Sequence, residues 1–140
     1  MSFVDAYLLD TNVISETRRK QPEKRVLDFL SAADPERLFL SALTFGELRR
    51  GIVLKQQTNP VDALGYATWS DELETLYADR ILAVNAAVAK VWGRLSADRS
   101  RPVADTLLAA TALVHYLTVV TRNTRDMRGL PVKLINPWLV

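Results

Sequence analysis

The hydrophobic pattern alternates short apolar runs with longer amphipathic stretches. Residues 6–9 (Ala-Tyr-Leu-Leu) form a brief apolar run that stops at Asp10, the pattern of a buried strand. Residues 24–33 place apolar side chains at 26, 27, 29 and 30, a short helix closed off by Pro35. Residues 38–40 (Leu-Phe-Leu) read as a second buried strand. Residues 41–55 read as a helix that Asn59-Pro60 interrupts. Residues 61–78 read as another helix, with Leu64, Trp69, Leu73 and Leu76 expected to face inward. Residues 81–84 predict a third strand, and Asn85 an N-cap for a helix over 86–97. After the loop 100–102, residues 104–116 form a helix that is apolar almost all round. Residues 118–121 predict a fourth strand and 132–135 a fifth.

Buried strands alternating with helices predict an α/β domain with a mostly parallel sheet of four to five strands. No repeat, linker or low-complexity stretch divides the chain, so residues 1–140 are expected to form one domain. In open parallel sheets, sites form beyond the carboxyl ends of the strands.

Composition narrows the chemistry. There is no Cys and one His among 140 residues. This excludes a disulfide framework, thiolate zinc sites, a cysteine nucleophile and any mechanism needing two histidines. The five glycines match neither common phosphate-loop pattern. The longest strongly apolar stretch, 107–117, has 11 residues, against about 20 for a membrane span. With no basic segment preceding an apolar run at the N-terminus, the expected location is the cytoplasm and no membrane association is expected. Eighteen basic residues nearly balance 16 acidic ones, and 13 of the 18 are Arg, which grips phosphates through paired hydrogen bonds.

The informative acids lie in apolar surroundings. Asp10 ends the first strand. Asp105 opens the apolar helix 104–116. Glu47 lies away from the stripe Phe45, Leu48 and Ile52, beside Leu43, Gly51 and Leu54, so its helix is apolar on two sides. Asn123 and Asp126 follow the fourth strand. Each alone fits a cap, turn or surface position. Asp10, Asp105 and the 123–126 loop are all expected on the same edge of the sheet, and oxygen ligands without His or Cys suit Mg²⁺ or Mn²⁺ rather than zinc. His115 fits a structural role at the C-terminus of its helix.

Four segments carry a resemblance. Residues 8–16 (Leu-Leu-Asp-Thr-Asn-Val-Ile-Ser-Glu), 45–52 around Glu47, 104–112 around Asp105 and 120–127 around Asn123 resemble, in order and spacing, PIN-domain ribonucleases of the VapC toxin type. The ending 134–138 is similar to the FitB-like branch. The resemblance implies a three-layer α/β/α domain and an acidic pocket holding one or two Mg²⁺ or Mn²⁺ ions. The ligands it implies are Asp10, Glu47 and Asp105, with Asp126 or Asn123 as the fourth. Thr11 would orient Asp10 or a metal-bound water. The implied activity is endonucleolytic hydrolysis of RNA, with Arg49, Arg50, Arg122 and Arg125 among the residues expected to hold its backbone. The implied partners are a cognate VapB-type antitoxin and a second copy in a homodimer, with larger toxin–antitoxin assemblies beyond. Two other classes remain open at this point: a PIN-like binding module without catalysis, and a phospho-acceptor signalling domain. The latter lacks a paired acid on the first strand and a lysine at the end of the last.

Overall fold

The computed structural model describes residues 5–140. Residues 1–4, on which the N-terminal expectation partly rests, lie outside the described residues.

Five strands form a sheet of order β3-β2-β1-β4-β5, and every pairing is parallel. They are β1 (Tyr7–Leu9), β2 (Leu38–Ser41), β3 (Ile81–Leu82), β4 (Thr118–Val120) and β5 (Leu134–Ile135). The helices are α1 (Thr11–Glu16), α2 (Lys24–Ala32), α3 (Ala42–Thr58), α4 (Pro60–Leu76), α5 (Ala86–Leu95) and α6 (Val103–His115). All five predicted strands are present. The third is shorter than expected, because Ala83 and Val84 leave the sheet and are exposed. Helix α1 did not appear in the hydrophobic pattern. Its six residues are too few to show a period, and Asp10 starts it as an N-cap, its side chain accepting from Thr11 N.

The period-2 geometry of the strands divides the core in two. Leu9, Leu38, Leu40 and Val120 point to one face, where they meet Val13, Ile14, Val26, Leu48 and Leu73 from α1–α4. Leu8 and Val119 point to the other, against Leu108, Ala109 and Ala112 of α6. Register enforces the split: Leu8 lies beside Val119 and Leu9 beside Val120. The result is three layers, α/β/α, as expected.

Polar residues punctuate these elements where the sequence pattern placed breaks. Ser41 Oγ accepts from Leu43 N at 3.1 Å to start α3. Asn59 ends α3 and caps α4, its Oδ1 accepting from Asp62 N at 3.1 Å, with Pro60 at the first helical position. Asn85 caps α5 through Val88 N at 3.1 Å.

One core expectation is corrected. On α4, Ala63, Ser70 and Leu73 face inward, whereas Leu64 and Leu76 are exposed, at 70% and 67%. This helix has apolar residues on two sides, and packing against α3 chooses the side with the small residues. Tyr66 and Trp69 lie between, half-buried against the first core.

Candidate active site

The strand order reverses between β1 and β4, and the crevice at such a switch point is where ligands bind in open α/β sheets. Asp10 leaves the end of β1 there, its backbone N–H donating to Val120 O at 2.9 Å. Thr121 leaves the end of β4. Its hydroxyl donates to Asp10 Oδ2 at 2.8 Å. Thr11 N donates to Asp10 Oδ1 at 2.7 Å, and Asn12 Nδ2 to Oδ2 at 3.3 Å. Asp10 is 8% exposed. Burial raises its pKa, and the hydrogen bonds from Thr121, Thr11 and Asn12 partly offset that rise.

Glu47 reaches the same place from α3. The Thr11 hydroxyl donates to Glu47 Oε1 at 2.8 Å and lies 3.0 Å from Thr44 Oγ1. The expected role of Thr11 therefore divides: its N–H serves Asp10 while its hydroxyl positions Glu47. Glu47 itself is exposed.

Asp105 enters from the first turn of α6 and is half-buried. Its pKa is pushed up to about 6, first by burial and then by the charges of Asp10, Asp126 and Glu47. That electrostatic influence links all four acids. Asp126 stands on the 3₁₀ turn Thr124–Met127 after β4. The side chain of Asn123, just before that turn, is exposed and makes no hydrogen bond among the described residues.

Among the described residues, no Lys, Arg or His lies within ion-pairing distance of Asp10, Glu47, Asp105 or Asp126. Nor do any three His, Cys, Asp or Glu side chains among them converge tightly enough to chelate one ion unaided. Mg²⁺ does not require such a cage. It usually keeps several waters and takes one or two carboxylates. An all-oxygen donor set in which the charges of three members help raise the pKa of the fourth, Asp105, therefore fits a hydrated divalent ion.

The arginines distribute unevenly. Arg50 lines a shallow recess with Glu47 and Val84. Arg49 turns toward α4, 3.9 Å from Asp71. Arg122 lies over Trp138, 4.9 Å from the ring centroid, and Arg125 is exposed beside Asp126. Sequence reasoning gave no role to Asn12, Thr44 or Thr121. Thr121 was detectable in principle: Thr-Val-Val-Thr ends its strand as Tyr-Leu-Leu-Asp ends β1, and two adjacent parallel strands in register deliver both final residues to one crevice.

The PIN domain family matches residues 7–131. The chain belongs to the PIN domain family. It is 37% identical to the toxin FitB of Neisseria gonorrhoeae over 94% of this chain and 97% of that protein. It is 33% identical to the VapC ribonuclease Y4jK of Sinorhizobium fredii over 94% and 96%. A crystal structure of FitAcB from Neisseria gonorrhoeae superposes with a TM-score of 0.85 and 35% identity, covering 96% of this chain and 99% of that one. PIN-domain ribonucleases generally depend on a divalent metal. No helix among the described residues of this PIN-domain chain is long and apolar enough to cross a membrane.

Proposed function

We propose that this PIN domain is a Mg²⁺-dependent endoribonuclease and the toxin half of a toxin–antitoxin pair acting in the cytoplasm. The observation that carries the reading is the set of four acids with no ion-paired basic side chain among the described residues, centred on a half-buried Asp105 at the switch point of the sheet. Likeness to a protein named as a ribonuclease and another named as a toxin supports the substrate class and the role.

Asp10 and Asp105 would hold the ion most directly, since both sit deep in the crevice, and Glu47 would complete the set from α3. Asp126 is favoured over Asn123 as the fourth group because its charge already acts on Asp105. When bound, the cation supplies activation of water and neutralisation of phosphate charge. The chain's own residues do the positioning. Thr121, Thr11 and Asn12 fix both Asp10 oxygens, and Thr11 with Thr44 fixes Glu47. Arg50 and Arg125 stand close enough to the acids to meet backbone phosphates on either side. Arg49 and Arg122, turned onto Asp71 and Trp138, would have to swing out to do so.

The reading includes a homodimer and a cognate VapB-type antitoxin. Val53 and Leu54 on α3, and Val61 and Leu64 at the start of α4, are exposed apolar side chains that favour an interface there.

The test is cleavage of RNA with Mg²⁺ and with EDTA, using the native chain and Asp10→Asn. Cleavage that needs both the ion and Asp10 is expected. Cleavage that survives EDTA or Asp10→Asn would refute the site, and no cleavage under any condition would leave the non-catalytic binding module as the better reading.

A further inference from the structure

Beside the acids lies a second feature that the proposed chemistry does not use. Arg18, just beyond α1, places its guanidinium 4.6 Å from the centroid of Tyr66 and 5.8 Å from that of Trp69. The two rings are tilted against each other at 5.9 Å. With Ser15 and Arg19 they line an open recess of about 230 Å³.

Its position is set by two helices. Ser15 is four residues beyond Thr11 on α1, and Gly51 is four residues beyond Glu47 on α3. Tyr66 closes on Gly51 so tightly that a Cβ there would meet its Oη at 3.1 Å. Thr11 and Glu47 are joined by a 2.8 Å hydrogen bond. The recess therefore begins one helical turn, about 6 Å, from the acids along both helices.

The chemistry of the lining is specific. Arg18 is exposed and has no carboxylate within ion-pairing distance among the described residues, whereas its neighbour Arg19 is tied to Glu16 at 3.3 Å. Neither the Tyr66 hydroxyl nor the Trp69 indole N–H has a hydrogen-bond partner among the described residues, and neither is sealed off from solvent. A planar cation, two aromatic faces and two free polar atoms suit a flat, hydrogen-bonding aromatic ligand. Stacking a single helix end against α4 would require none of these free groups.

We infer that Arg18, Tyr66 and Trp69 form a stacking subsite for one unpaired base of the RNA, next to the nucleotide whose phosphodiester lies at the acids. The inference rests on the ribonuclease reading. Arg18 would stack on or beside the base, Trp69 would supply an aromatic face, and Tyr66 Oη would offer an edge contact. The subsite selects single-stranded RNA, because a base within a duplex cannot turn out into it without losing its stack.

The probe is a mixed-sequence 12-nucleotide single-stranded RNA, with a second oligonucleotide of the same length carrying abasic sites throughout. Binding is measured in the cleavage-deficient Asp10→Asn chain by anisotropy and by tryptophan fluorescence. The RNA is expected to quench fluorescence, and the abasic chain is not. Trp69→Phe should keep binding and lose most of the quench, and any signal left from Trp138, which lies under Arg122, is read from the same variant. Arg18→Ala should weaken binding about five- to tenfold, and Arg18→Lys, which keeps the charge but not the plane, should weaken it nearly as much. In the chain with Asp10 intact, Arg18→Ala should raise KM by a similar factor and change kcat less than twofold. Equal binding of RNA and abasic chain would overturn the subsite, and needs no variant at Arg18, Tyr66 or Trp69. So would native affinity in both Arg18 variants, or a quench produced only by an antitoxin peptide. If the native chain cuts RNA while the Arg18 variants match it, the subsite alone fails. If the native chain neither binds nor cuts RNA, the ribonuclease reading fails and the subsite with it.

Discussion

Replacing Asp105 by Asn should make the metal-free protein more stable while abolishing its cleavage activity. The folded-state pKa of Asp105 is about 6, against 3.8 for the free side chain. Between those values the folded state holds a proton that the unfolded chain has released. The stability linked to that proton is fully present below about pH 4 and is lost as pH rises through about 6. A difference of about two pKa units corresponds to about 3 kcal/mol. Asp105 is only half-buried, so solvent screening reduces this to roughly 1–1.5 kcal/mol. Asn carries no charge at any pH and escapes the loss. The assay is thermal unfolding of native and Asp105→Asn protein, freed of metal, at pH 4 and pH 7.5. The variant should match the native protein at pH 4 and exceed it by about 3–5 °C in Tm at pH 7.5. Adding Mg²⁺ at pH 7.5 should then stabilise the native protein and leave the variant unchanged, because a ligand stabilises only the state that binds it. A difference between the two proteins that is the same at both pH values would refute the reasoning. It would mean that neither burial nor the neighbouring acids raises the pKa of Asp105.

Thr121→Val keeps the shape of a fully buried side chain and removes the hydroxyl that donates to Asp10 Oδ2. Mg²⁺ affinity by calorimetry should fall about 10–100-fold with little change in circular dichroism, and unchanged affinity would show that Asp10 needs no such support. Salt should weaken RNA binding steeply: if three backbone phosphates are held, affinity falls roughly twentyfold between 50 and 200 mM salt, and a flat response would remove the arginines from the interface. Leu64→Glu puts a charge on the exposed apolar side of α4 without touching the core. Light scattering should then report a monomer where the native chain is a dimer, and an unchanged mass would move the interface elsewhere.

The fold and the site were not equally legible in the sequence. Asp10 and Asp105 each had a routine reading as a cap, and it was their joint placement beside apolar runs at strand and helix ends that pointed to one edge. Glu47 was harder, since an exposed helical Glu is ordinary and only its bond to Thr11 ties it to the crevice. Helix α1 was invisible because hydrogen bonds from an acid and its neighbours create it, not periodicity. Leu64 and Leu76 looked like core residues because α4 has two apolar sides and the pattern cannot say which one a neighbouring helix will cover. The direction of Arg49 was hidden for a similar reason: it depends on Asp71, which lies 22 positions away and belongs to a helix packed against its own.

The bond from Asp10 N–H to Val120 O makes the sheet register the ruler from which the site is measured. Side chains on a strand alternate faces, so a one-residue insertion or deletion within β1 would exchange the roles of Leu8 and Leu9 and carry Asp10 out of reach of Thr121. Length changes in the loops on the opposite edge, such as the one entering β5, would leave that ruler intact. The pairing of Asp10 with Thr121 should therefore tolerate drift in the outer helix faces and almost none in the spacing of six residues, 7–9 and 118–120, that never touch the substrate.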